Sequence, residues 1–248
     1  MYPKRQFAKT IDNTLLRPES TRDDILRLCD ESAERHFASV CVFPCWVGTA
    51  SRELAGSDVK VCTVIGFPFG GTTRLTKIFE AKNAVANGAR EIDVVMNLSK
   101  FKSGDYGAVA QDLKEIVEAT CVGTSLDEAK RVLVKIIIET CVLTDDEKNI
   151  ASKMVLQSGA DFIKTSTGTA GGGATVEDIR RIRRAVGLTS IGIKASGGIK
   201  TVHDVLQMLD AGASRIGTSS GARLYDQYDP DAPESVGNGV TGAEEATY

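Results

Sequence analysis

Two short segments carry the same pattern of reactive residues: Phe162-Ile-Lys-Thr-Ser-Thr-Gly168 and Gly192-Ile-Lys-Ala-Ser-Gly-Gly198. Each closes an apolar run and sets a lysine two residues ahead of a serine. Side chains alternate along an extended chain, so Lys164 shares a face with Phe162 and Ser166, and Lys194 shares one with Gly192 and Ser196. On neighbouring strands, about 4.8 Å apart, the two ammonium groups become close neighbours. Like charges in a partly desolvated site depress lysine pKa values, which leaves one amine neutral and nucleophilic near neutral pH. A lone strand-end lysine is more often a snorkelling surface residue. Two at matching positions point to function.

Carboxylates come from Arg90-Glu-Ile-Asp-Val-Val-Met-Asn97. Asp93 interrupts an apolar stretch, where an unpaired charge is costly. It is either half of a buried salt bridge or a proton shuttle facing the two lysines. Lys135 and Glu139 lie four apart and so on one strand face, as a charged network under the site or as scaffold. Asp12, in Ile11-Asp-Asn-Thr-Leu15, either binds a substrate hydroxyl or caps a turn. Anion binding falls to glycine-rich turns, Ser196-Gly-Gly-Ile199 and Gly217-Thr-Ser-Ser-Gly221, with Gly168 and Gly171-Gly-Gly173 as a third flexible loop. Glycines let backbone N–H groups approach an anion, and the serines add hydroxyl donors.

Eight short runs, mostly apolar and β-branched, must position these residues: 11–16, 39–43, 61–65, 91–96, 132–139, 161–165, 190–194 and 215–218. Between them lie amphipathic stretches that predict helices over 21–35, 46–55, 75–87, 105–121, 144–158, 175–186 and 201–211, with a short one after Ser220. Thr144-Asp-Asp-Glu147 reads as a capping box, and Thr175 precedes early acidic residues. Asn87-Gly-Ala89, Ser158-Gly-Ala160 and Ala211-Gly-Ala213 repeat one helix-to-strand turn. Strand–helix alternation implies parallel strands with right-handed crossovers. Eight units of about 31 residues are the size of a single-domain α/β (β/α)8 TIM barrel, whose active site sits where the strands end. An open doubly wound sheet is the alternative, weakened because no G-x-G-x-x-G follows the first strand.

Of 248 residues, 42% are hydrophobic and 25% charged, which excludes a disordered or fibrous chain. Thirty Lys and Arg against 33 Asp and Glu leave a formal charge of −3, no electrostatic reason for a nucleic-acid or anionic-membrane partner. No apolar run approaches the ~18 residues of a membrane span, and the start lacks a signal-peptide core. A cytoplasmic protein is expected. The six cysteines are scattered through apolar segments and read as buried reduced thiols rather than disulfides. Cys41 and Cys45 lack the further ligands a zinc site needs, so no metal or other cofactor is expected. Residues 1–225 make the barrel. Residues 226–248 hold six acids and no Lys or Arg, a tail too polar to fold alone. It is expected to be disordered, or to act as a transient lid bringing Tyr248 into a proton relay.

Together VCVFP, VIGFPFG, EIDVVMN, KIIIET, DFIKTSTG, GIKASGGI and RIGTSSG, in that order, resemble the 2-deoxyribose-5-phosphate aldolases, class I (Schiff-base) aldolases on a TIM barrel. The likeness runs from about Ile11 to Gly221. It implies Lys164 as the Schiff-base lysine, Lys194 as its assistant and Asp93 as the proton shuttle. It also implies a phosphate site on Gly197, Gly198, Ser219 and Ser220, with Gly168 close by. The implied reaction is reversible cleavage of 2-deoxy-D-ribose 5-phosphate to D-glyceraldehyde 3-phosphate and acetaldehyde, in a homo-oligomer (dimer or tetramer). Two positions depart from the family's common pattern: Asn13 stands where histidine is frequent, and Thr169 where some members carry a lysine for phosphate. A transaldolase, a phosphate-binding isomerase and a non-catalytic phosphosugar-binding barrel are the rival readings.

Overall fold

The computed structural model describes residues 2–121 and 131–231. Eight parallel strands, β1 (Ile11–Leu15), β2 (Ser39–Val42), β3 (Lys60–Ile65), β4 (Glu91–Val95), β5 (Leu133–Ile137), β6 (Phe162–Lys164), β7 (Gly192–Ser196) and β8 (Arg215–Thr218), pair in sequence order, and β8 closes on β1. Eight of the helices match the amphipathic stretches: α2 (Arg22–Glu34), α3 (Val47–Glu53), α4 (Arg74–Ala86), α6 (Tyr106–Cys121), α7 (Asp145–Gln157), α8 (Val176–Val186), α9 (Val202–Asp210) and α10 (Gly221–Gln227). The expected capping box at Thr144 and Glu147 forms, and Thr175 caps α8 by accepting from Asp178 N–H. Gly88, Gly159 and Gly212, at the three repeated turns, all have φ between +80° and +113°, a conformation that favours glycine.

Alternation along the strands divides the molecule into two layers. Ile11, Val40, Val42, Ile92, Val94, Val134, Ile136, Ile163, Ile193 and Ile216 point outward and pack with the helices into one continuous core. The inward positions carry most of the polar groups. Asn13 belongs to the outer set: its amide donates to Ser32 Oγ on α2 at 3.1 Å, so this departure from the family pattern lies away from the barrel interior.

Two short helices were not legible in the periodicity. α1 (Lys4–Ala8) has no side-chain cap, yet its Phe7 and Ala8 are fully buried. α5 (Leu98–Lys102) starts on an Asn97 cap. β7 also runs two residues later than expected, which puts Lys194 at mid-strand.

The barrel extends beyond residue 225. Asp226 pairs with Arg35, and Tyr228 is buried, its ring stacked on Phe7 with centroids 4.0 Å apart. The Tyr228 hydroxyl donates to the Tyr2 carbonyl at 2.6 Å and accepts from the Tyr2 N–H at 3.1 Å. The acidic composition of the tail hides this anchor, because one aromatic residue suffices to pin the chain. Tyr228→Ala is expected to cost ~3–5 kcal/mol, as for other buried aromatic truncations, with little change in KM, measurable by urea unfolding. Tyr248 and the rest of the expected lid, from residue 232 onward, lie outside the described residues. Among the described residues no helix is long and apolar enough to cross a membrane.

Candidate active site

Register places the reactive residues on adjacent strands. Asp93 on β4 faces Lys135 on β5, and Lys164 on β6 faces Lys194 on β7. Asp93 is the hub. Its Oδ1 accepts from Lys135 Nζ at 2.9 Å, and its Oδ2 accepts from both Lys164 and Lys194 at 2.8 Å. A second tier completes a ring beneath it. Lys194 Nζ also lies 2.5 Å from Asp12 Oδ2, Arg215 bridges Asp12 and Glu91, and Lys135 lies 2.5 Å from Glu91.

Burial without charge would neutralise these groups, but mutual pairing wins. Burial pushes the Asp93 carboxyl up, and the charges of Lys135, Lys164 and Lys194 outweigh it and hold Asp93 well below the usual carboxylate range. Burial pushes Lys194 down, and Asp12 and Asp93 reverse this and hold it above the ordinary lysine value. Lys135 is raised in the same way, chiefly by Asp93 against its burial. The expectation that like charge depresses both lysines therefore fails for Lys194. Two carboxylates reach it, and sequence spacing does not reveal the second.

The ring opens upward into a cavity of about 680 Å³ at the C-terminal ends of the strands. Lys164 lines it together with Gly168, Gly197, Gly198, Ser219 and Ser220, the residues expected to hold an anion. Arg17 and Lys200, at the rim, are cations that sequence reading did not single out; both sit in polar loops that resemble any solvated surface. Lys194, Asp93 and Asp12 do not line the cavity. For Asp12 this is a correction: both its oxygens face cations in the ring, so it neither reaches the cavity wall nor caps a turn. Glu139 is another. Lys135 joins the ring, but Glu139 lies past the end of β5 at φ +54°, where its carboxylate accepts from the N–H and hydroxyl of Thr167. It braces the loop after β6 instead.

Cys41, Cys62 and Asp93 bring one ligand atom each within 4.8 Å of one another. Three ammonium groups already hold the Asp93 carboxylate, so a divalent cation there would meet strong like charge. That donor set does not fit one. Cys29, Cys41 and Cys62 are buried as expected, whereas Cys45 and Cys141 are exposed, each in a single 3-10 turn that follows a strand.

Fold and site together define a (β/α)8 barrel enzyme with a lysine at the floor of its mouth. Residues 7–227 match the model of the DeoC/LacD family aldolases, and the chain belongs to that family of carbon–carbon lyases. Over 222 residues it is 49% identical to a deoxyribose-phosphate aldolase of Thermoanaerobacter sp. (strain X514), covering 90% of this chain and 96% of the relative. The corresponding enzyme of Streptococcus uberis is 51% identical over 219 residues, covering 88% of this chain and 95% of the relative. Among solved structures, a Coccidioides immitis protein described as a putative deoxyribose-phosphate aldolase superposes with a TM-score of 0.84 at 37% identity, covering 91% of this chain and 88% of that one. A deoxyribose phosphate aldolase from Aeropyrum pernix, described as tetrameric, gives 0.81 at 31%, covering 90% and 91%.

Proposed function

We propose that the protein cleaves 2-deoxy-D-ribose 5-phosphate reversibly to D-glyceraldehyde 3-phosphate and acetaldehyde through a Schiff base on Lys164. One observation carries this reading: of the three ring lysines, Lys164 alone lines the cavity. Charge counting supports the same residue. Among the described residues the carboxylates that Lys135, Lys164, Lys194 and Arg215 face are Asp12, Glu91 and Asp93, so loss of one ammonium proton brings the ring to balance. Lys135 and Lys194 each pair with two carboxylates within 3 Å; Lys164 has only Asp93, shared with Lys194. The least-paired amine of the ring is therefore the one that meets the substrate.

The free amine attacks the C1 aldehyde, and loss of water from the carbinolamine gives an iminium. Removal of the C3 hydroxyl proton forms the new carbonyl, the C2–C3 bond breaks, and its electron pair enters the iminium as an enamine. Protonation at C2 and addition of water release acetaldehyde and return the amine. Asp93, Lys194 and a water relay these protons, a role that fits their shared hydrogen bonds. The iminium is the electron sink, so the reaction calls for no metal or organic cofactor. The phosphate rests on the Gly197–Gly198 and Ser219–Ser220 turns with Gly168 beside them. We further propose a cytoplasmic homo-oligomer, dimer or tetramer, supported by the tetrameric description of the Aeropyrum pernix relative.

Incubation with 2-deoxyribose 5-phosphate tests the reading. Equal amounts of acetaldehyde and glyceraldehyde phosphate are expected, and an isomerised pentose phosphate without cleavage would refute it. The phosphate site makes its own prediction. A Cβ on Gly173 would overlap the Gly197 carbonyl, so Gly173→Ala must displace the loop after β7. KM for the phosphorylated substrate should rise roughly 10-fold or more while acetaldehyde still forms an imine, separable by steady-state kinetics and reductive trapping.

A further inference from the structure

Arg215 begins β8, one tier below the reacting lysine, and the proposed mechanism does not use it. Its guanidinium lies over the Phe162 ring, 5.5 Å from the centroid; its Nη1 donates to both Asp12 Oδ1 and Glu91, and its Nη2 donates to Glu91. The remaining oxygen of Asp12 is left to Lys194. Arg215 is the single cation of the ring that never gives up its proton.

We propose that Arg215 is a positioning residue that sets the pH range in which the Lys164 amine is free to condense with an aldehyde, acting through Asp12 and Lys194. With Arg215 in place the fully protonated ring carries one cation more than its carboxylates require. Without it, three carboxylates face three lysines, and every lysine is needed as an ammonium. The ring then holds its last proton to higher pH. The groups facing this exchange come from all eight strands: Asp12 on β1, the thiols of Cys41 and Cys62 on β2 and β3, Glu91 and Asp93 on β4, and the four cations on β5 to β8. Burial raises the Cys62 thiol well above its ordinary value, and the hydrogen bond with Cys62 lowers Cys41. Because the groups are mutually coupled, the titration belongs to the ring as a whole.

The inference rests on Lys164 as the Schiff-base residue. Its test is the rate of acetaldehyde trapping by cyanoborohydride as a function of pH. Arg215→Met should move the midpoint up by roughly one pH unit, the lower end of the shift a neighbouring full charge produces. Glu91→Gln should move it down by a similar amount. Arg215→Met combined with Glu91→Gln restores the original excess of one cation and should restore the wild-type midpoint, which a purely structural role for Arg215 does not predict. An unmoved midpoint in Arg215→Met, or no restoration in the double variant, overturns the inference. Should Arg215→Met not fold, Glu91→Gln against wild type decides, and an unmoved midpoint there overturns it as well. Absence of trapping in the wild type at every pH would instead refute the Schiff-base reading, and this inference with it.

Discussion

Lys164→Leu should abolish turnover, by at least roughly 10³-fold, and leave a folded barrel. The loss follows from chemistry: leucine has no amine, so neither carbinolamine nor iminium forms. The retained fold follows from the charge count. Lys164 is the surplus cation, and without it Lys135, Lys194 and Arg215 still face Asp12, Glu91 and Asp93. Thermal stability should therefore stay close to that of the wild type. Lys164→Arg should be equally inactive, since guanidinium stays protonated and cannot act as nucleophile. Acetaldehyde trapping that survived in Lys164→Leu would move the nucleophile to Lys194.

Asp93→Asn should fail differently, losing both activity and stability. The amide keeps the shape of the side chain but leaves three buried ammonium groups around a neutral partner. Breaking a buried ion pair from one side costs ~3–5 kcal/mol. The kcat should fall roughly 10² or more with modest change in KM, because in the proposed mechanism the lost group moves protons rather than binding substrate. Urea unfolding and steady-state kinetics on the same preparation separate the two losses. A stable variant with near-wild-type kcat would reduce Asp93 to a structural ion pair.

What the chain reveals before folding depends on whether a residue's role is local. The eight strands, the principal helices and the Lys164–Lys194 pairing follow from periodicity and matching motifs, because alternation and register are short-range properties. Asp93 stood out as a charge inside an apolar run. Arg215 did not, because it opens its strand beside a turn and reads as a surface residue. Only closure of β8 on β1 brings it to Asp12 and Glu91. The same closure explains the misreading of Asp12, whose partners lie on β7 and β8, far along the chain. Glu139 shares strand parity with Lys135, but β5 ends at Ile137, so the parity argument no longer applies to it. Burial of Tyr228 depends on Phe7, at the other terminus.

The central claim is a covalent one, and borohydride reduction in the presence of acetaldehyde followed by peptide mapping tests it most directly. A single N-ethyl group on Lys164, absent when borohydride is added without an aldehyde, is the predicted result. An unmodified protein, or the adduct on Lys194 or another lysine, would contradict it.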